Sequence, residues 1–278
     1  MNISFFAKEP YLTKNSEGEN DFRLNRVSTI IRAKELVSFM GAKYNPREGY
    51  ENDVCVYLKP PRLNRIKDGD YVDVLDDQSG PRMLQMRPGI KVIAMSGPHY
   101  EWLKTFLKNE IVLIPHHHVN FERARRERKE VVNCGYVGAY HPDHVAINKE
   151  VGRRLAEVGF NFIPLYNFRI RDDIINFYMQ IDIQVIGFFK FLTNVPYYHQ
   201  TKIVNAMSFG IPTVAGQKLG YRDIDNCYIH VSNLDEFIIE VKKLKEEPEY
   251  YKYWSEKGLE RAESYHISEI AKLYQALK

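Results

Sequence analysis

Cysteine is scarce in this sequence: it occurs three times in 278 residues, at Cys55, Cys134 and Cys227. A small, odd number of widely spaced cysteines argues against a disulfide framework and indicates a reducing compartment. We therefore expect a cytoplasmic protein. Cys55 and Cys134 lie in apolar, strand-like runs, and we expect both thiols to be buried.

Long hydrophobic runs are also missing. The longest candidate, IDIQVIGFFKFL at residues 181–192, is broken by charge and is shorter than the roughly 20 residues that cross a bilayer. We interpret it as a buried strand. The first residues, MNISFFAKEPYL, lack the basic start and the apolar core of a signal peptide. Contact with a membrane is therefore expected to be peripheral at most.

The sequence has no strong excess of either charge. Its formal net charge is +3 at pH 7, which is too small to require a nucleic-acid partner. One basic run, RARRERK at residues 123–129, is an alternative contact for nucleic acid or acidic lipid. Glu122, Glu127 and Glu130 interrupt or flank it, and mixed charges at such spacing usually form a solvated face. We favour the solvated face and keep a nucleic-acid-modifying protein as an alternative.

Signatures of cofactors, metals and catalytic triads are few. The spaced glycine triplet of dinucleotide-binding domains is absent, and no Ser-His-Asp or Cys-His arrangement stands out. His116–His118 alternate in direction on an extended chain, so they cannot converge on one ion. The stretch DVLDD, with Asp73, Asp76 and Asp77, resembles a metal-binding cluster but equally fits aspartates that cap a turn. Because no cluster has standard ligand spacing, we predict no structural metal.

Short apolar strands alternate with amphipathic helices along the chain, which predicts parallel sheets covered by helices on both faces. The charged stretch VNFERARRERKE, at residues 119–130, interrupts this alternation and reads as a connection between domains. We therefore predict an α/β protein with two Rossmann-like domains, residues 1–120 and 121–266, that face each other across a cleft. Open parallel sheets bind ligands beyond the carboxyl ends of their strands, so the cleft is the expected site.

Two places in the second half are candidates for binding an anion. Gly138 follows a predicted strand and precedes a helix, where the backbone can approach a phosphate and the helix N-terminus favours negative charge. The stretch TKIVNAMSFGIPTVAG, residues 201–216, predicts a helix, a tight turn and a strand. Thr201, Lys202 and Asn205 open this helix. The alternative interpretations are that Gly138 serves only the geometry of the turn and that Lys202 is a solvated surface lysine.

In their order along the chain, these segments resemble GT-B fold glycosyltransferases, most closely the retaining glycosyltransferase family 4. The stretches that carry the resemblance are YVDVLDD, IKVIAMSGPHYEWLK, IVLIPHHHVNFERA, CGYVGAYHPDH and KIVNAMSFGIPTVAGQKLGYRDI. The last is the most specific, because it is similar to the helix, turn and strand that face the donor. The resemblance covers nearly the whole chain. It implies an acceptor domain at residues 1–120, joined by the final helix at 267–278, and a donor domain at 121–266.

The resemblance implies a nucleotide-sugar-dependent glycosyltransferase, that is, a hexosyltransferase acting on a glycan, lipid-linked or small-molecule acceptor. By position, Thr201 and Lys202 meet the diphosphate, and Asn205 meets the ribose or the adjacent phosphate. Residues 167–169 lie near the base, and the loops 8–24 and 76–82 border the acceptor side. The implied donor-binding residues are Gly138, His141, Asn167, Phe168, Arg169, Thr201, Lys202, Asn205 and Asp223.

The sequence departs from the family pattern at several positions. Tyr197 and Asn205 stand where the family typically has two glutamates. Ala139 and Tyr140 stand where an arginine usually follows the glycine turn, and no lysine ends the next strand. No cofactor is required, but a bound divalent cation is one source of charge for the diphosphate. The side chains left for that task are Lys202, His141, Arg169 and Arg171.

The resemblance also implies a mechanism. With retention, the acceptor attacks from the face of the leaving group and a phosphate oxygen takes its proton, while cations and helix amides stabilise the developing charge. With inversion, a base from the first domain is needed, and the candidate catalytic residues are His99 and His117. A scaffold that binds nucleotide or glycan without turnover is the alternative that the departures suggest.

Overall fold

Two parallel β-sheets form the frame of the protein, which confirms the prediction of an α/β architecture with two sheets. The computed structural model describes residues 2–14, 20–25, 27–60, 62–75, 80–126, 128–138, 140–186, 195–196 and 198–278. The expectations for Asp76, Asp77, Glu127, Ala139 and Tyr197 lie outside these residues, as do parts of the predicted strand 181–192 and of the loops 8–24 and 76–82.

The first sheet contains six strands from the first half of the chain. They are β1 (Ile3–Phe6), β4 (Lys43–Tyr44), β5 (Val54–Leu58), β6 (Tyr71–Asp73), β7 (Lys91–Ala94) and β8 (Ile111–Leu113). All neighbours are parallel, in the order β4-β1-β5-β6-β7-β8. The interior strands are nearly continuous apolar runs, such as VCVYL and KVIA, because helices cover both faces of the sheet.

The second sheet contains five parallel strands in the order β10-β9-β11-β12-β13. They are β9 (Asn133–Val137), β10 (Asn161–Leu165), β11 (Ile183–Ile186), β12 (Thr213–Ala215) and β13 (Ile229–His230). Pro164 lies within β10, which is an edge strand. The edge tolerates it because an outward position needs no ladder hydrogen bond from that nitrogen.

Helices connect the strands and pack on the sheets. They are α1 (Val27–Thr29), α2 (Glu35–Met40), α3 (Gly80–Leu84), α4 (Gly97–Lys104), α5 (Pro142–Glu157), α6 (Arg171–Gln180), α7 (Thr201–Ser208), α8 (Leu234–Glu246), α9 (Pro248–Ala262) and α10 (Ile267–Gln275). A π turn, Ile30–Lys34, joins α1 to α2, and the helix ends at Gly41 with φ +67°, which glycine adopts at little cost. Two 3₁₀ helices span Leu219–Ile224 and Glu263–Tyr265.

The chain crosses between the two sheets twice. At the first crossing, the carbonyl oxygens of Ile114 and Pro115 accept hydrogen bonds from Arg32 in the first half, at 2.8 and 2.7 Å. Only three residues later, the His118 N–H donates to the carbonyl of Tyr265 in the second half, at 3.0 Å. The short stretch between these contacts is therefore where the chain passes from one half to the other.

The second crossing brings α10 back onto the first sheet. Ile267, Ile270 and Tyr274 are buried in the same apolar core as Phe5 and Leu36. The Tyr274 ring lies 5.3 Å from that of Phe5, in an edge-to-face arrangement. Residues from the end of the sequence therefore complete the core of the first half.

Three elements differ from the sequence-based expectation. The polar stretch expected to be a loop forms an antiparallel hairpin of β2 (Tyr11–Lys14) and β3 (Asn20–Asn25), and its register shifts between Leu12 and Thr13. Such an irregularity disrupts the two-residue period that identifies a strand. Helix α3 and the two-residue strand β4 are too short to leave a periodic signal.

All three cysteines are free, and Cys55 and Cys134 are buried as predicted. Among the residues that the structure describes, no helix combines the length and the apolar character needed to span a bilayer.

Candidate functional site

The carboxyl edge of the second sheet brings a glycine and a lysine together. Gly138 directly follows β9, and its N–H donates to the carbonyl of Leu165 at 3.0 Å. A β-carbon on Gly138 would lie 2.7 Å from Nζ of Lys202 and 2.6 Å from the hydroxyl of Tyr136. Nζ of Lys202 lies 4.8 Å from the centroid of the Tyr136 ring. The missing side chain at position 138 is therefore what leaves room for the ammonium group.

A second lysine, which the sequence analysis missed, lies at the same edge. Lys218 follows β12, is only 6% exposed, and holds its Nζ 4.2 Å from the centroid of the Tyr198 ring. Burial lowers the pKa of Lys218 to about 8. Burial, reinforced by the positive charge of Lys218, also lowers the pKa of Lys202 to about 8. Because burial and mutual repulsion disfavour both charges, a bound anion would stabilise this lysine pair.

The start of α7 adds further donors beside the pair. Within the described part of the chain, no carboxylate forms an ion pair with Lys202. Thr201 is buried, and among the same residues its Oγ1 has no hydrogen-bond partner. The side chain of Gln200, the N-cap residue of α7, makes no capping hydrogen bond, and the first N–H groups of a helix carry partial positive charge. An unpaired ammonium, an unused hydroxyl and a helix N-terminus together form a candidate anion site.

The other residues predicted near the donor follow β9 and β10. His141 is exposed and caps the N-terminus of α5, where its Nδ1 accepts a hydrogen bond from the first turn. Asn167 and Arg169 are exposed, and the N–H of Arg169 donates to Asp173 at 2.7 Å. Phe168 is partly buried against the apolar cluster of α6 and α7. These side chains follow the carboxyl ends of β9 and β10, at the same edge of the sheet as the lysine pair.

Asn205 and Arg171 contact the connection between the halves. The N–H of Val119 donates to Oδ1 of Asn205 at 3.0 Å, and Nε of Arg171 donates to the carbonyl of Val119 at 2.7 Å. The Arg171 guanidinium also lies 3.9 Å from the centroid of the Phe121 ring. Both side chains therefore have partners at the first crossing, a role that the sequence analysis did not anticipate.

Three arginines of the basic run at 123–129 pair with acids of the second half. Arg123 contacts Glu263 at 2.9 Å, and Arg126 and Arg128 contact the buried Asp182 at 2.8 and 3.5 Å. These ion pairs fasten the connection to the second half. They do not favour the alternative of a free basic surface for nucleic acid.

Asp223 faces the first half of the molecule. It lies on the 3₁₀ helix Leu219–Ile224, and its Oδ2 accepts a hydrogen bond from the N–H of Gly97 at 2.7 Å. The carboxylate predicted to lie near the donor is therefore in contact with the N-terminus of α4, across the space between the two sheets.

The two candidate bases of the first half are enclosed. His99 is fully buried in α4 and stacks on Trp102 with ring centroids 5.8 Å apart. The ring of His117 is also buried, with Nε2 2.7 Å from the carbonyl of Ile31 and Nδ1 3.1 Å from that of His118. Burial lowers the pKa of His117 to about 4. These contacts favour a structural role for His117.

The three consecutive histidines have three different neighbours. The rings of His116, His117 and His118 lie 5.2, 5.3 and 5.4 Å from those of His199, Phe121 and His266, in that order. In the ranges that the structure describes, no three His, Cys, Asp or Glu side chains gather as potential metal ligands.

Asp73, at the end of β6, has a buried cation as its partner. Its Oδ2 accepts a hydrogen bond from Nε of Arg32 at 2.7 Å, and both side chains are fully buried. The hydroxyl of Tyr274 lies 3.4 Å from the same oxygen. Asp73 therefore neutralises Arg32 beneath the carboxyl edge of the first sheet.

The two sheets, their parallel order and the returning α10 define a GT-B fold, and solved structures with this fold match the chain. A glycosyltransferase from Rickettsia africae matches with a TM-score of 0.61 at 10% identity, over 99% of this chain and 97% of that chain. TarM from S. aureus, as a mutant in complex with fondaparinux, α-GlcNAc-glycerol and UDP, matches with a TM-score of 0.59 at 13% identity. A GtfA/B complex matches with a TM-score of 0.57 at 10% identity.

The matches cover different shares of the proteins compared. The TarM match covers 80% of this chain and 55% of TarM, so this chain spans about half of that protein's length. The GtfA/B match covers 96% of this chain and 66% of the other. No protein-family model matches the sequence, and no curated protein matches it either. At these identities the likeness shows the fold alone.

Proposed function

We propose that this protein is a glycosyltransferase that moves a sugar from a nucleoside-diphosphate sugar to an acceptor hydroxyl. The observation that carries the proposal is the lysine pair, Lys202 and Lys218, at the carboxyl edge of the second sheet, where Gly138 leaves room for Nζ of Lys202. In this proposal, residues 121–266 form the donor domain, and residues 1–120 with 267–278 form the acceptor domain. The fold neighbours support it, since the TarM complex contains UDP and α-GlcNAc-glycerol.

Negative charge develops on the diphosphate as the glycosidic bond breaks. In this proposal the charge is stabilised by two ammonium groups, the Thr201 hydroxyl and the first N–H groups of α7. Groups already in position stabilise a developing charge without the cost of reorganisation. Lys218 thereby supplies a positive charge in a sequence that lacks the family's usual arginine. A divalent cation bound with the diphosphate would add to the same charge.

Transfer with retention is the stereochemistry that we propose. A phosphate oxygen of the leaving group then takes the acceptor proton, so that no side-chain base is required. The enclosure of His99 and His117 supports this route, because neither ring lies open beside the lysine pair. Measuring the anomeric configuration of the product by NMR tests it, and an inverted product would contradict it.

Binding of nucleotide or glycan without turnover is a second candidate function. The hydrogen bond from the N–H of Val119 to Oδ1 of Asn205 favours it. The family typically has a glutamate at this position, and here the side-chain oxygen is used to hold the connection. Ligand binding that is accompanied by neither transfer nor hydrolysis would support this candidate over the enzyme.

A thermal-shift screen against UDP-, GDP- and ADP-sugars, with and without a divalent cation, tests the proposed site. We expect at least one ligand to raise the melting temperature of the parent protein but not that of Lys202→Ala or Lys218→Ala. The matched control is Lys242→Ala, which removes an exposed lysine of α8 in the same half. No response to any nucleotide, or an equal response in all four proteins, would contradict the proposal.

A further inference from the structure

One short segment of the second half holds a helix of the first half at two points. Oδ2 of Asp223 accepts a hydrogen bond from the N–H of Gly97 at 2.7 Å. The neighbouring Arg222 places Nη2 2.6 Å from Oε1 of Glu101. Gly97 and Glu101 lie one turn apart on α4, so the two contacts are made to the same face of that helix.

A side chain at position 97 would crowd this contact. A β-carbon at this position would lie 2.6 Å from Oδ1 of Asp223. Gly97 has no positive φ, so its backbone conformation is open to alanine and only the carboxylate stands in the way. The N-terminus of α4 favours a negative charge at this point, which strengthens the hydrogen bond.

The same segment begins at the lysine pair. Lys218 directly precedes the 3₁₀ helix that carries Asp223. A β-carbon on Gly220 would lie 2.1 Å from the carbonyl oxygen of Tyr198, so the backbone packs closely against the stretch that leads into α7. Nη2 of Arg261 also donates to the carbonyl of Asp223 at 2.9 Å. Residues 218–223 therefore pack between the proposed anion site and α4.

We propose that residues 218–223 form a latch that couples contact between the two halves to anion binding at the lysine pair. Gly97 and Asp223 are positioning residues in this latch, and they act on the anion through Lys218. The proposal rests on the proposed function, because the lysine pair is its anion site. Coupling between two sites is reciprocal, so a bound diphosphate strengthens the contact between the halves, and that contact strengthens diphosphate binding.

Calorimetric titration of the full chain with inorganic pyrophosphate tests the latch. Gly97→Ala and Asp223→Ala are each expected to weaken binding about fivefold or more. The double variant is expected to bind no worse than Asp223→Ala, because the alanine at position 97 acts only through the carboxylate. Parent-like binding by both single variants, or losses that add in the double variant, would overturn the proposal.

The matched control is Asp235→Asn, which removes an exposed carboxylate paired with Arg154 within the second half. It is expected to bind pyrophosphate as the parent does. Small-angle scattering gives a second readout, in which pyrophosphate decreases the radius of gyration of the parent but not that of Asp223→Ala. Circular dichroism of each variant shows whether it is folded.

Lys202→Ala separates failure of the latch from failure of the proposed function. If pyrophosphate binds neither protein, or binds the parent and Lys202→Ala equally, the anion site is refuted and the latch fails with it. If Lys202→Ala loses binding while Gly97→Ala and Asp223→Ala keep it, the anion site stands and the latch alone is refuted.

Discussion

Nζ of Lys202 lies 2.7 Å from the point where a side chain on Gly138 would begin. The lysine belongs to the first turn of α7 and the glycine to the end of β9, so two elements far apart in sequence share one small space. A glycine at position 138 is therefore explained by the room it leaves for the Lys202 ammonium group. A special backbone conformation does not explain it, since Gly138 has no positive φ.

Replacing Gly138 with alanine is therefore expected to damage both ligand binding and packing. The new methyl group meets Nζ of Lys202 at 2.7 Å and also the hydroxyl of Tyr136 at 2.6 Å, and the Tyr136 side chain is fully buried. We expect nucleotide affinity to fall about tenfold or more and the free energy of unfolding to fall by about 1–3 kcal/mol, the usual cost of an extra methyl group in a packed site. Calorimetry and urea denaturation measure the two quantities. A large loss of stability with unchanged affinity would contradict this account of Gly138.

The affinity for a nucleotide-sugar is expected to fall as the pH rises above 8. Because the pKa of Lys202 is lowered to about 8, the ammonium is mostly charged at pH 7 and mostly neutral at pH 9. Lys218 has the same lowered pKa, so if the diphosphate binds only when both ammonium groups are charged, affinity is about a hundredfold weaker at pH 9 than at pH 7. The phosphodiester groups of the ligand stay ionised throughout this range.

Lys202→Arg is the matched variant for this pH dependence. Its guanidinium keeps its charge above pH 8, so the variant is expected to retain a flatter profile that depends on Lys218 alone. Titrations in buffers of different ionisation enthalpy measure proton uptake on binding. Equal affinity at pH 7 and pH 9 in the parent would contradict a role for a lysine whose pKa is lowered.

Much of the fold could be predicted from the sequence, because parallel sheets under helices leave strong apolar patterns. A strand ends directly before Gly138 as predicted, and residues 201–216 form the predicted helix, turn and strand. The hairpin between Tyr11 and Asn25 could not be predicted, because its polar stretch lacks a clear alternation and its register is irregular.

The candidate site was harder to predict, because sequence patterns do not show which partner a polar group finds across the molecule. Lys202 and Gly138 were singled out from their local motifs, and the structure brings them together. Asn205 and Asp223 were assigned to the donor, yet their oxygens contact Val119 and Gly97. Lys218 was missed, although it lies between two glycines just after a predicted strand, which is a position that can approach a phosphate.

Loss of the buried partner of Arg32 is expected to destabilise the first half strongly. Asp73→Asn removes the charge that neutralises Arg32, while both side chains remain fully buried. An unpaired charge in such surroundings costs about 3–5 kcal/mol of unfolding free energy. Urea denaturation measures the loss. Glu150→Gln, which breaks an exposed pair with Arg153, is the control and should cost far less stability, because water and salt screen exposed pairs. Similar losses in the two variants would contradict the assignment.

Acid is expected to destabilise the protein through the histidines of the first crossing. Burial lowers the pKa of His117 to about 4 and that of His118 to about 3, whereas an unfolded histidine titrates near about 6.5. The unfolded chain therefore binds more protons below pH 6.5, so this part of the stability is complete above that pH and is lost as the pH falls towards 4.

Comparing urea denaturation of parent and variant between pH 7.5 and 4.5 isolates the contribution of one ring. His118→Asn preserves a side-chain acceptor for the N–H of Asn120, which donates to Nδ1 of His118 at 3.2 Å, but removes the titrating group. Its stability is expected to fall less steeply with acid than that of the parent. If His118→Asn lost stability as steeply as the parent, protonation of the buried crossing would not be a cause of acid unfolding.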